Sequence, residues 1–120
     1  MAKILVHVTH GPENPTRAAL AFLVARSALD EGHSVSMFLA GDGAQLLRNA
    51  VLDNLNGLGT GSLRELFDAL VAKGVRFYVS GMSGKSRGVT DADLAGKSAE
   101  FAMPNVLVRL CIEHDKMFTY

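Results

Sequence analysis

Residues 3–40 read KILVHVTHGPENPTRAALAFLVARSALDEGHSVSMFLA, and the two apolar runs at the ends of this stretch decide the fold. Lys3 to Thr9 is almost continuously aliphatic, the composition of a strand covered on both faces in a parallel sheet. Ser34 to Ala40 reads as a second strand. Between them, Asn14 stands where a helix N-cap is wanted and Pro15 suits the first helical position. The helix that follows places Leu20, Leu23, Val24 and Ala28 at helical spacing, and Gly32 supplies a left-handed end. Strand, helix and strand within forty residues make a βαβ unit, whose crossover is right-handed.

The alternation continues outward from this unit. After Gly41-Asp42-Gly43, the segment AQLLRNAVL (residues 44–52) is short and amphipathic, and NGLGTG (56–61) reads as a glycine-rich loop. Ser62-Leu63-Arg64-Glu65 has the form of a capping box, opening a helix that runs to Gly74. Val75 to Val79 is a third strand. Thr90-Asp91-Ala92-Asp93 resembles another capping signal, for a short helix ending near Gly96. Ala99 to Ala102 is expected as a short fourth strand. Pro104 starts a helix with Leu107, Leu110, Cys111 and His114 on one face, and Lys116 to Tyr120 closes as a fifth strand. The expected architecture is a single α/β domain over residues 1–120. It has three layers, with a five-stranded, mostly parallel sheet between helices, flavodoxin-like in outline.

Composition narrows the function classes. The chain of 120 residues carries 12 basic and 12 acidic side chains with no run of either sign, which leaves no electrostatic footprint for nucleic acid or an anionic membrane. A single cysteine, Cys111, allows no internal disulfide and points to the cytoplasm. The apolar stretch before His7 is about five residues, shorter than a signal-peptide core or a membrane span. His7, His10, His33 and His114 show no metal-ligand spacing, and no cofactor motif is present, so neither metal nor cofactor is expected.

In open parallel sheets, ligands bind beyond the carboxyl ends of the strands. Two connections qualify here: HGPENP after the first strand and VSGMSGKSRG (79–88) leaving the third. Gly84-Lys85-Ser86 looks like the end of a P-loop. However, that motif needs a glycine five residues before Gly84, where this chain has Val79, and Arg87-Gly88-Val89 interrupts any helix beginning at Gly84. A serine nucleophile at Ser80 or Ser83 would need a base such as His10 oriented by Glu13 or Asp42; the competing reading is that both serines cap backbone groups in a tight turn. Accessible backbone at Gly81, Gly84 and Gly88, together with Ser83, Lys85, Arg87 and the helix start at Pro15, outlines a small-anion site. Its rival is an Arg87 ion pair across a subunit interface.

Three blocks, THGPENPTRAALAF (9–22), FYVSGMSGKSRGV (77–89) and HDKMFTY (114–120), together give the chain a resemblance to the DsrE/DsrF-like family of small sulfur-relay and related proteins. The resemblance implies a five-stranded, mostly parallel sheet and assembly as a homo-oligomer, trimer or hexamer. It also implies that sulfur-carrying members hold a cysteine where this chain has Ser80, many with a second where it has Ser83. A hydroxyl neither ionises near neutral pH nor holds a persulfide, so relay chemistry is not expected at this loop. The resulting expectation is a cytoplasmic binding or interaction protein with a small-anion or sulfur-compound pocket at His10, Gly11, Ser80, Ser83, Lys85 and Arg87. The alternative is sulfur transfer through Cys111 or through a partner's thiol docking at the loop. The first reading expects Cys111 to be packed on the apolar face with Leu107 and Leu110, buried and inert.

Overall fold

The aliphatic run Lys3–Val8 forms β1 inside a five-stranded sheet in the computed structural model, which describes residues 1–120. Asn14 caps α1 (Pro15–Asp30), its side chain accepting the Arg17 backbone N–H at 3.3 Å, and the chain leaves the helix through Gly32 at φ +91°. Strand β2 (Ser34–Leu39) follows, parallel to β1. A 3-10 turn (Gly41–Gln45) and α2 (Asn49–Leu52) lead to a miniature hairpin, β3 (Asn56–Gly57) with β4 (Gly61–Ser62), where a loop was expected. Ser62 caps α3 (Leu63–Ala72) by accepting the Glu65 N–H at 3.4 Å.

The second half contains β5 (Arg76–Ser80), α4 (Gly81–Ser86), α5 (Asp91–Leu94), β6 (Ala99–Ala102), α6 (Pro104–Glu113) and β7 (Lys116–Thr119). The order across the sheet is β6-β5-β2-β1-β7, and every neighbouring pair is parallel. The chain steps outward from β1 to β6, then returns to place β7 on the free side of β1. With right-handed crossovers, that reversal puts α6 on the opposite face of the sheet from α1 and α3.

The two faces are unequally covered. Against α1 and α3 lies a cluster of 26 buried side chains built around Phe77, with the Phe67 ring centroid at 5.2 Å and that of Phe22 at 6.0 Å. On the α6 face the buried cluster has four members, Leu5, Phe38, Ala102 and Leu110. His7 shares this thinner face, edge-on to Phe38 at 6.1 Å between centroids. Its Nε2 is buried without a hydrogen-bond partner, and desolvation by burial holds the imidazole pKa below its usual value. No helix is long and apolar enough to cross a membrane.

Three further local expectations are corrected. Residues 81–86 are helical rather than loop, because Ser80 supplies a cap and Gly84 lets the turn approach Phe101: a Cβ there would lie 3.0 Å from its ring. Helix α1 buries Ala18, Ala19, Ala21, Phe22, Ala25 and Ala28 and leaves Leu20 39% exposed; the alanine side is what fits closely between sheet and α3. Cys111 is exposed, since α6 rests on the sheet through Leu110, with Val106 and Leu107 partly covered, and this narrow stripe leaves position 111 on its flank.

Candidate functional site

Both connections singled out in the sequence converge on the 3-10 turn that follows β2. From one side, Gly11 packs so tightly that a Cβ would lie 2.1 Å from the Asp42 carbonyl oxygen, and the Glu13 carboxylate accepts the Gly11 N–H at 2.6 Å. Gly43 is equally constrained, a Cβ there falling 2.6 Å from the Val8 carbonyl oxygen. His10 stands at the end of β1 with its Nδ1 3.5 Å from Thr9 Oγ1.

From the other side comes α4. Ser80, 7% exposed at the end of β5, accepts the Ser83 N–H at 3.2 Å and so caps the helix. Ser83 Oγ in turn accepts the Gly41 N–H at 2.8 Å. Arg87 donates from Nε to Asp42 Oδ1 at 3.0 Å and from Nη1 to the Ser83 carbonyl (3.1 Å) and Ser86 Oγ (2.9 Å). The structure therefore brings Ser80, Ser83 and Arg87 together, with Gly11 meeting them only through the turn. Arg87 has its carboxylate partner within the chain. Neither serine hydroxyl is hydrogen-bonded to a histidine, so the arrangement contains no activated nucleophile.

Strand order reverses between β1 and β7, the place where parallel sheets open a crevice. Here Thr9 donates both its N–H (2.7 Å) and its hydroxyl (3.0 Å) to the Tyr120 carbonyl, and Tyr120 donates its N–H to the His7 carbonyl at 2.8 Å, which extends the β1–β7 pairing to Tyr120.

The open concavity lies instead beside β5 and β6. A groove of about 750 Å³ runs between α4 and β6, floored by Phe101 and Val89, walled by Met82 and Met103, with backbone at Gly81 and Gly88. Lys85 projects into it and makes no ion pair; Asp91 also lines it. Of the expected site residues, Lys85 lines this groove with its side chain and Gly81 and Gly88 line it with backbone, while Ser80, Ser83 and Arg87 hold the helix that forms its wall. A smaller hollow of about 320 Å³ between Pro12, Pro15 and α2 carries no charged side chain.

Sequence reasoning passed over the clamp beneath this groove. Arg48 donates to the Gly88 carbonyl and lies 3.5 Å from Asp93 Oδ2, and Asp93 also accepts the Thr90 N–H at 2.9 Å. That backbone bond first, and Arg48 second, hold the Asp93 carboxyl below the usual carboxylate range. Lys97 spans the connection by donating to the carbonyls of Leu47 (2.7 Å) and Asp93 (2.6 Å), and desolvation lowers its pKa. Only the capping signal at Thr90–Asp93 announced any of this in the sequence. The long-range partners Arg48 and Lys97 carry no local pattern.

The model of the DsrE/DsrF-like family matches residues 2–120. Among solved structures, the ychN protein from E. coli superposes with a TM-score of 0.79 over 100% of both chains at 17% identity. A protein of unknown function from Methanobacterium thermoautotrophicum, MTH1491, gives 0.76 over 100% of both chains at 15% identity. Another conserved protein of unknown function, BT1422 from Bacteroides thetaiotaomicron, gives 0.67 at 9% identity, covering 98% of this chain and 94% of that one. At these identities the likeness is one of fold. No curated protein matches the chain.

Proposed function

This chain belongs to the DsrE/DsrF-like family, and we propose that it serves there as a cytoplasmic, homo-oligomeric binding protein that takes a small anion or sulfur compound in the groove between α4 and β6. The observation that carries the reading is Lys85, an ammonium without an ion-pair partner set above an apolar floor. Such a pairing favours a ligand with a negatively charged head and a polarizable body. The Met82 and Met103 thioethers and the Phe101 ring offer the soft contacts that sulfur prefers. Ser80 and Ser83 are spent on backbone hydrogen bonds, so the ligand is held without a covalent bond to this wall.

Titration with thiosulfate and with butanesulfonate, followed by backbone-amide NMR, tests this. The expected result is saturable shifts at Gly81, Lys85 and Gly88 that vanish in Lys85→Gln. Shifts confined to other surfaces, or binding unchanged in the variant, would sink it.

The exposure of Cys111 favours a second reading, in which this thiol carries sulfur. Its thiolate would attack a terminal polysulfide sulfur, forming the new S–S bond and expelling the shortened polysulfide anion. Peptide mapping after polysulfide treatment decides this. Added sulfur on Cys111 supports transfer, and an unmodified Cys111 removes it.

A further inference from the structure

Helix α6 rests on the sheet through Leu110 and turns Val108, 60% exposed, and Ile112, 80% exposed, away from the protein. Two such side chains one helical turn apart form an apolar stripe with nothing of this chain upon it. Arg109 and Glu113, also one turn apart, stand on one flank, where they border a shallow groove with Tyr78 and Glu100. Both are exposed, and neither forms an ion pair within the chain. Cys111 lies on the opposite flank.

We propose that α6 packs antiparallel against α6 of a second copy about a twofold axis passing beside Cys111. The charge pattern selects this occupant. Antiparallel packing sets each flank against the same flank of its mate, with the order of residues reversed. Centred on position 111, it faces Arg109 with the partner's Glu113 and Glu113 with the partner's Arg109, while the two Cys111 thiols come together on the other side. A parallel pair would lay the charged flank against the partner's Cys111 flank and match neither charge. Self-complementarity of this kind is what an isologous interface requires.

Size places the contact in an assembly. Ten helical residues span about 15 Å, so the helix pair alone falls at the small end of specific interfaces. Met117, 44% exposed, is the register partner of Leu5 and therefore adds apolar surface on the same face. A twofold contact cannot generate a trimer. Combined with a threefold contact it gives a hexamer, and by itself a dimer. This deepens the homo-oligomer reading above and rests on it: the number of subunits is even, and α6 is the twofold element. Pairing also closes Cys111 against its mate, so it competes with sulfur transfer for the same thiol.

Native mass spectrometry of the full chain separates the two levels. An even-numbered assembly is expected; a monomer overturns both readings, and a trimer overturns the α6 contact while leaving homo-oligomerisation intact. Arg109→Glu sets like charges together twice across the axis and should weaken assembly about tenfold. Adding Glu113→Arg to it should restore the wild-type constant. Both positions are exposed, so circular dichroism should be unchanged in either variant. A silent Arg109→Glu, or no rescue by the double reversal, overturns the proposal. As a second readout, a short bis-maleimide should link subunits through their only thiol, Cys111, and Ile112→Asp should abolish the link. Absence of a linked species in the wild type counts equally against it.

Discussion

Ser83 Oγ accepts the Gly41 backbone N–H at 2.8 Å, joining the first turn of α4 to the start of the 3-10 turn across 42 residues of sequence. Ser80, three residues earlier, acts locally instead, accepting the Ser83 N–H at 3.2 Å. The two hydroxyls thus have separate structural tasks, one long-range and one a helix cap.

Their separation is measurable. Ser83→Ala leaves the Gly41 N–H without its acceptor and should lower stability by about 1–3 kcal/mol, the desolvation cost of an unmet partly buried donor. Ser80→Ala loses a cap and should cost about 1 kcal/mol. Urea denaturation of the two variants gives the comparison, and a Ser83→Ala loss smaller than that of Ser80→Ala would show that the inter-segment bond is not what fixes the turn.

Gly11 makes a sharper demand on the same turn. An added Cβ would sit 2.1 Å from the Asp42 carbonyl oxygen, a backbone atom that cannot swing aside as a side chain would. Gly11→Ala should therefore destabilise by about 1–3 kcal/mol or more through forced backbone shifts. Gly32→Ala is the control: it meets nothing within 4 Å and pays only for its φ of +91°, on the order of 1 kcal/mol. Equal melting temperatures for the two variants would refute the steric account.

Arg87 and Asp42 invite a stronger claim than their surroundings permit. Their side chains remain 31% and 46% exposed, so the Coulomb gain is screened and the coupling should be at most about 1 kcal/mol. A double-mutant cycle with Arg87→Gln and Asp42→Asn, run at low and high salt, should show this small coupling shrinking as salt rises. A coupling of several kcal/mol that ignores salt would mean that the pair is buried, for example by a neighbouring subunit.

How much of this was legible in sequence follows from how local each signal is. Asn14-Pro15 and Ser62 announce α1 and α3 because a cap and its N–H partner lie three residues apart. The aliphatic runs announce β1 and β2 because strands in a parallel sheet are buried on both faces. Helix α4 was not legible: Gly81 and Gly84 are poor helix formers, and the reason for Gly84, the ring of Phe101, is seventeen positions away in the chain. Periodicity also misplaced Cys111. Helical spacing aligns it with Leu107 and Leu110, but it does not say how wide a stripe a single helix covers on a half-open sheet, and the covered stripe stops at Leu110. For the candidate site, the sequence singled out Lys85 and the connection leaving β5. It could not tell that Arg87 and Ser83 face the 3-10 turn while Lys85 faces the groove, because that division depends on contacts with Gly41 and Asp42.

The half-buried His7 supplies a pH test of the thin face of the sheet. Its Nε2 is buried without a partner beside Phe38, and burial lowers its pKa in the folded protein below the 6.5 of the unfolded chain. Near neutral pH both states hold a neutral imidazole and the group contributes nothing to the pH dependence. As pH falls through 6.5, the unfolded chain takes up the proton first, so ΔG of unfolding declines; the decline continues until the folded-state pKa is passed and the folded protein protonates as well. His7→Phe removes the titrating group and its orphaned nitrogen while keeping a flat ring against Phe38. Urea midpoints measured from pH 7.5 down to about 5, the span in which a histidine ordinarily titrates, should fall for the wild type and fall less steeply for the variant. Parallel pH profiles would mean that the His7 ring already has a water or a subunit neighbour to receive its proton, and the exposed part of this face would then be covered in the assembled protein.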